Sequence, residues 1–191
     1  RPVGETEFAN GAAAMAASGL YGPTRVCAGI VGYADLRDPE GMLPALLDAH
    51  CARGGARFKG IRQMAAWDAD PFIVNPETKT SPGMFADPRF RAGFAQLAPR
   101  GLRFDAWVFH TQLAELTDLA RAFPETPIVL NHLATPLGIG AYASSRDEVL
   151  QSWTEGMRAL AQCPNVYLKL GGLGMRSLGL GLAQHAAPLP S

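Results

Sequence analysis

An α/β fold with about five parallel strands and flanking helices is what this sequence predicts, and three observations lead there. Short apolar, β-branched runs alternate with longer amphipathic stretches, the links entering the strands are short, and the links leaving them are long. Alternation of strand and helix implies right-handed βαβ units and therefore a parallel sheet. The 191 residues read as a single domain over 1–191, short of the roughly 250 that an eight-stranded α/β barrel needs. The chain opens on Arg1, part-way into a helix approach, and closes at Ser191 without a final element, so an internal fragment of a longer protein is expected.

Taken in order, Glu5–Ser18 is Ala-rich with Phe8, Ala12 and Met15 at helical spacing, ended by Gly19. Thr24–Leu36 reads as a strand whose Gly29 and Gly32 imply a closely packed neighbour. Asp38-Pro39 supplies a helix cap and a first-turn proline for a helix reaching about Arg53, with Leu43, Leu46, Leu47 and His50 on one stripe. Gly54-Gly55 stops it, and the strand Arg57–Gln63 follows. After a long irregular stretch, Asp87-Pro88 opens a helix with Phe90, Phe94 and Leu97 inward. The strand Arg103–His110 leads to a helix over Gln112–Phe123, which Thr111 can cap, and then to the proline-bounded strand in PIVLNHLATP at Pro127–Pro136. Ser145-x-x-Glu148 reads as a capping box for a helix bearing Val149, Trp153, Met157 and Leu160, and Val166–Leu170 is the last strand.

Composition removes several function classes. Formal net charge is +0, so no electrostatic footprint for nucleic acid or an anionic membrane exists. No apolar run approaches the roughly 18 residues of a transmembrane helix, and the first residues lack a signal pattern. Cys27, Cys51 and Cys163 lack metal-site spacing and are odd in number, which suits reduced thiols and a cytoplasmic location. Self-association into a homo-oligomer is left open.

Long loops at the carboxyl ends of parallel strands build the site in such folds, which draws attention to Arg62, His110 and His132. Strand parity places Phe58, Gly60 and Arg62 on one face, with Phe104, Ala106, Val108 and His110, and Ile128, Leu130 and His132, on matching faces. Each set is apolar or small below and polar at its top rung, the pattern of a barrel interior ending in a site. Histidines crowning neighbouring strands, about 5 Å apart, can share a divalent metal or bracket a substrate carbonyl. The alternative is a pair of strand-end histidines satisfied by backbone or water. Arg62 suits either a bidentate clamp on a substrate carboxylate or an ion pair at the rim. Lys169 interrupts an apolar strand and needs a carboxylate partner or a place in the site. Trp67, Asp68 and Asp70 belong to a loop able to serve as a lid. His50 reads as structural or surface, and His185 lies in the terminal loop. Gly171-Gly172-Leu173-Gly174 lacks dinucleotide-binding spacing.

The pieces GIVGYADLRDP (29–39), RFKGIR (57–62), the run from Phe104 to Pro136 and NVYLKLGGLGM (165–175) resemble the amidohydrolase-related (amidohydrolase 2) family of metal-dependent TIM-barrel hydrolases, which includes sugar and dicarboxylate lactonases. The resemblance implies a partial TIM (β/α)8 barrel, strands three to seven, with the terminal strands missing. It also implies that His110 and His132 are catalytic and bind a divalent metal, zinc or manganese, and that Arg62 binds substrate; Lys169 and Trp67 join it as substrate-binding candidates from their places in the strand and loop. The family's strand-one His-x-His and strand-eight acid have no counterpart here. The implied reaction is attack on a lactone or similar ester by a water that a metal or a general base polarises, the small-molecule substrate bearing a carboxylate. Two rivals are a metal-dependent non-oxidative decarboxylase on the same barrel and a non-catalytic open α/β binding domain. Five strands alone leave two unpaired edges, so the isolated fragment is expected to be poorly stable and inactive.

Overall fold

The computed structural model describes residues 2–73 and 80–181. Five helices, α1 (Pro2–Ala17), α2 (Leu43–Gly54), α3 (Pro88–Phe94), α4 (Leu113–Ala122) and α5 (Arg146–Leu160), accompany five strands. The strands are β1 (Ile30–Tyr33), β2 (Phe58–Met64), β3 (Arg103–Trp107), β4 (Ile128–Leu130) and β5 (Val166–Leu168). They form one sheet in the order β1-β2-β3-β4-β5, every pair parallel. A doubly wound sheet reverses its strand order at a switch point. This one does not, and the sequential order is that of a partial (β/α)8 barrel, so the open doubly wound alternative fails.

The core lies between the sheet and its helices. Phe104, Ala106, Ile128 and Leu130 are fully buried there with Ile61 and the ring cluster Phe85, Phe90 and Phe94. Phe94 meets Phe104 edge-on at 5.3 Å between centroids, a favoured quadrupole geometry. Asp87 caps α3 by accepting the Arg89 N–H at 2.9 Å, as its Asp-Pro signal predicts. The stripe Leu113, Leu116 and Leu119 of α4 is buried.

Strand parity comes out differently from the sequence reading. In parallel strands residues in register share a face, and Ile61 pairs with Phe104 while Arg62 pairs with Asp105. Phe104, Ala106, Ile128 and Leu130 therefore face the helices, and the opposite face carries Arg62, Asp105 and Asn131. A bulge explains β2. Ile30 pairs with Phe58 but Val31 pairs with Gly60, so Lys59 is an extra residue that inverts the alternation. Phe58 consequently stacks on His50 of α2, centroids 5.0 Å apart, while Arg62 faces away from the helices. His110 and His132 lie beyond their strands, in turns that no longer obey a two-residue period.

Other local differences share one cause, tertiary packing overriding propensity. On α1, Phe8 and Met15 are 80% and 58% exposed, and the small residues Thr6, Ala13 and Ala16 face inward instead. Thr6 Oγ1 hydrogen-bonds His50 Nδ1 at 2.8 Å, which needs a close helix approach that large side chains would prevent. His50 is fully buried and structural, its Nε2 against the Tyr33 carbonyl at 3.1 Å. Gly32 permits this, since a Cβ there would lie 3.0 Å from both His50 and Phe58. Asp38 accepts the N–H groups of Met42 and Leu43, so α2 starts four residues later than Asp38-Pro39 suggests. Ser145 flanks α5 without a side-chain cap bond, and the predicted capping box does not form. Cys27, Cys51 and Cys163 are free thiols. Among the described residues, no helix is long and apolar enough to cross a membrane.

Candidate active site at the carboxyl ends of the strands

Four elements bring a polar cluster together on the sheet face opposite the helices. Asp105, mid-strand in β3 and 1% exposed, accepts hydrogen bonds from Arg62 Nη2 of β2 at 3.0 Å and from Lys169 Nζ just beyond β5 at 2.5 Å, both on Oδ2. Arg62 Nη2 also reaches Asn131 Oδ1, after β4, at 3.4 Å. Lys169 thus has the carboxylate partner its place in an apolar strand requires. The carboxylate itself escaped the sequence reading, although an aspartate inside FDAWVF is a buried acid that demands cations.

Three buried polar atoms in this cluster have no hydrogen-bond partner among the described residues: Arg62 Nε, Asn131 Nδ2 and His132 Nδ1. Buried polar groups are nearly always satisfied in folded proteins, so two unmet donors beside an unmet imidazole nitrogen point to a ligand oxygen. Burial first, and then the nearby Arg62 and Lys169 charges, hold the His132 pKa below the ordinary imidazole value. The ring is neutral at pH 7 and able to accept a proton.

The backbone fixes that ring in an uncommon way. His132, Leu133, Ala134 and Thr135 all have positive φ, at 54°, 57°, 55° and 36°, a region that costs a non-glycine residue roughly 1–2 kcal/mol. Two indoles clamp the turn. Trp153 Nε1 of α5 donates to the Leu133 carbonyl at 2.7 Å, and Trp107 Nε1 of β3 donates to Thr135 Oγ1 at 3.3 Å. Trp107 also meets the His132 ring edge-on at 5.6 Å. The loop leaving β5 passes so close that a Cβ on Gly172, whose φ is +74°, would lie 2.7 Å from His132 Cβ. The glycine-rich run there thus serves this close approach.

His110 keeps different company. It is buried, its Nδ1 accepts the Leu137 N–H at 3.4 Å, and its ring lies edge-on to Tyr142 at 5.3 Å. Burial pushes its pKa down, with the Asp68 charge opposing. Tyr142 donates to Asp68 Oδ2 at 2.8 Å, and burial and that bond push the phenol up to about 12. Asp70 Oδ2 accepts the Ala141 N–H at 2.7 Å. The two loop acids therefore strap the loop after β2 onto the loop after β4. Trp67 is half-buried in the first of these loops, with its N–H on Gln112 Oε1 at 3.0 Å. The indole at the polar cluster is Trp107, which the sequence reading passed over. His185 lies outside the described residues.

The structure therefore joins Arg62, Lys169 and His132 around Asp105 and sets His110 with Tyr142 in the loop layer. Among the described residues no three His, Cys, Asp or Glu side chains form a metal-holding group. The one carboxylate of this cluster, Asp105, is already shared by Arg62 and Lys169, which also repel a third cation. These residues do not by themselves fit a divalent metal.

The model of the amidohydrolase family matches residues 10–190. This chain belongs to the amidohydrolase family. Among its relatives, uncharacterized protein y4mH of Sinorhizobium fredii is 36% identical over 177 residues, 91% of this chain and 51% of the relative. L-fucono-1,5-lactonase of Burkholderia ambifaria is 33% identical over 150 residues, 78% of this chain and 44% of the enzyme. A crystal structure of an amidohydrolase from Burkholderia multivorans with bound zinc superposes at a TM-score of 0.60 and 27% identity, over 78% of this chain and 45% of that one. A second crystal form with bound HEPES gives a TM-score of 0.60 at 26% identity, over 84% and 50%. The amidohydrolase chain described here spans about half the length of the curated relatives it matches.

Proposed function

We propose that this amidohydrolase-family chain binds and opens a lactone, with His132, Arg62 and Asn131 at the reacting carbonyl. The observation that carries the reading is the set of three buried, unpartnered atoms around the Asp105 ion cluster. Relatives named L-fucono-1,5-lactonase support a lactone over other esters.

In this reading a water attacks the lactone carbonyl carbon and gives a proton to His132 Nδ1. Arg62 Nε and Asn131 Nδ2 donate to the carbonyl oxygen as it gains negative charge, which is where preorganised donors lower a barrier most. The ring C–O bond then breaks, and the departing alkoxide takes the proton back from His132. Lactone plus water becomes a hydroxy acid, whose carboxylate suits the same donors and the charge of Lys169. Asp105 holds Arg62 and Lys169 in place, and His110 with Tyr142 fixes the loop layer above.

The test is hydrolysis of an aldonolactone panel by the full-length gene product, followed by proton release in a weakly buffered indicator solution. His132→Ala and Arg62→Ala are each expected to lower kcat/KM by roughly 10²-fold or more, the usual scale for losing an acid–base group or an oxyanion donor. Carbon dioxide release from carboxylate substrates, with lactones untouched, would replace this reading with the decarboxylase.

A further inference from the structure

Trp107 meets the His132 ring at 5.6 Å between centroids and also lines a cavity of about 320 Å³ with Phe72, Ile73, Phe109, Ile139 and Met175. Six apolar side chains therefore wall this space, and one of them, Trp107, also touches His132 of the polar cluster. Arg176 and Ser177 complete the lining, and Ser177 Oγ is buried without a partner among the described residues. Phe72, Ile139, Met175 and Arg176 also border a wider groove of about 880 Å³, so the cavity leads outward and does not end blind. Its volume is that of a small-ligand site, whose apolar walls supply affinity and whose few polar atoms set orientation.

We infer that this cavity is a specificity pocket for an apolar limb of the substrate, and that the preferred lactone carries an alkyl or aryl substituent on the ring carbon facing Trp107. The inference rests on the lactone reading above and deepens it. A lactone ring on Arg62, Asn131 and His132 lies against the Trp107 ring, and a substituent continuing past that ring enters the apolar space. A polyhydroxylated sugar limb would bring several hydroxyls against Phe109, Ile139 and Met175, and Arg176 and Ser177 offer partners to only some of them, so the rest lose water uncompensated. An alkyl limb has no such cost.

The experiment is equilibrium binding of non-hydrolysable δ-lactams to the full-length gene product, measured by calorimetry. The series runs from the unsubstituted ring through methyl to hexyl at the ring carbon next to nitrogen, with a polyhydroxylated lactam alongside. Affinity is expected to rise about fourfold for each methylene added, the usual gain for burying a CH₂, through at least the first few carbons. The polyhydroxylated lactam should bind more weakly than the butyl compound. Ile139→Trp, which fills the cavity, should end the rise at a shorter chain. If the unsubstituted lactam binds in an Arg62-dependent way and affinity stays flat along the series, the pocket assignment is overturned and the lactone reading stands. Failure of every lactam to bind removes both.

Discussion

Asp105→Asn is the substitution that most directly tests how the site is built. The carboxylate is 1% exposed and holds two cations, with Arg62 and Lys169 39% and 46% exposed. Removing one member of a fully buried pair costs about 3–5 kcal/mol, because the remaining charge is left uncompensated. Here both cations keep partial access to water, and exposed pairs are worth far less, so the loss comes down to about 2 kcal/mol. For a chain of this size each kcal/mol moves Tm by about 2–4 °C, giving an expected fall of roughly 4–8 °C. Lys169→Met leaves the Arg62–Asp105 pair intact and should cost about 0–1 kcal/mol. Differential scanning calorimetry reads the order of the two variants, and proton NMR reads His132, whose pKa should fall further once two unneutralised cations sit beside it. An Asp105→Asn protein as stable as Lys169→Met, with the His132 titration unmoved, would refute the claim that this carboxylate organises the cluster.

Other expectations follow from the same geometry. His50, His110 and His132 are all held below the usual imidazole value of 6.5, burial being the main cause in each. The unfolded chain therefore binds more protons than the folded one just below pH 6.5, so stability is full above that value and declines as pH falls through the lowered folded values. Melting scans between pH 7 and pH 5 should show Tm decreasing, and a Tm that holds or rises would contradict the buried, neutral state of these rings. Gly172→Ala should destabilise by roughly 2 kcal/mol, since it combines a positive φ with a Cβ placed 2.7 Å from His132 Cβ. Gly11→Ala, mid-helix with nothing within 4 Å of the new Cβ, should instead stabilise by about 0.5–1 kcal/mol; chemical denaturation of the pair checks both signs.

Much of the architecture was legible because it rests on local signals. Asp-Pro before α3 and the leucine stripe of α4 act through nearest neighbours and appear where the sequence places them, and each β-branched run yields a strand, although Thr24–Leu36 shortens to Ile30–Tyr33. The family was legible through motifs spread over most of the chain. The site was only partly so. Arg62 and Lys169 stand out as cations in apolar strands, and His132 as a strand-end imidazole. Alternation misled because it assumes an unbroken ladder, whereas Lys59 bulges out of β2 and both histidines lie past the last paired residue. Asp105 and Asn131 were legible in principle, since an acid and an amide within apolar strands need partners. What links them to Arg62 is register across three strands, which no single segment encodes.

The left-handed turn gives a distant helix influence over the proposed chemistry, to which it contributes no reacting atom. Four residues in a disfavoured conformation hold on the order of 4 kcal/mol of backbone strain, and part of the restraint is Trp153, on the outer layer. In the proposed reaction, the angle at which the imidazole meets the lactone is thus set partly from outside the sheet. A substitution that shifts α5 would retune that proposed reaction without touching the pocket.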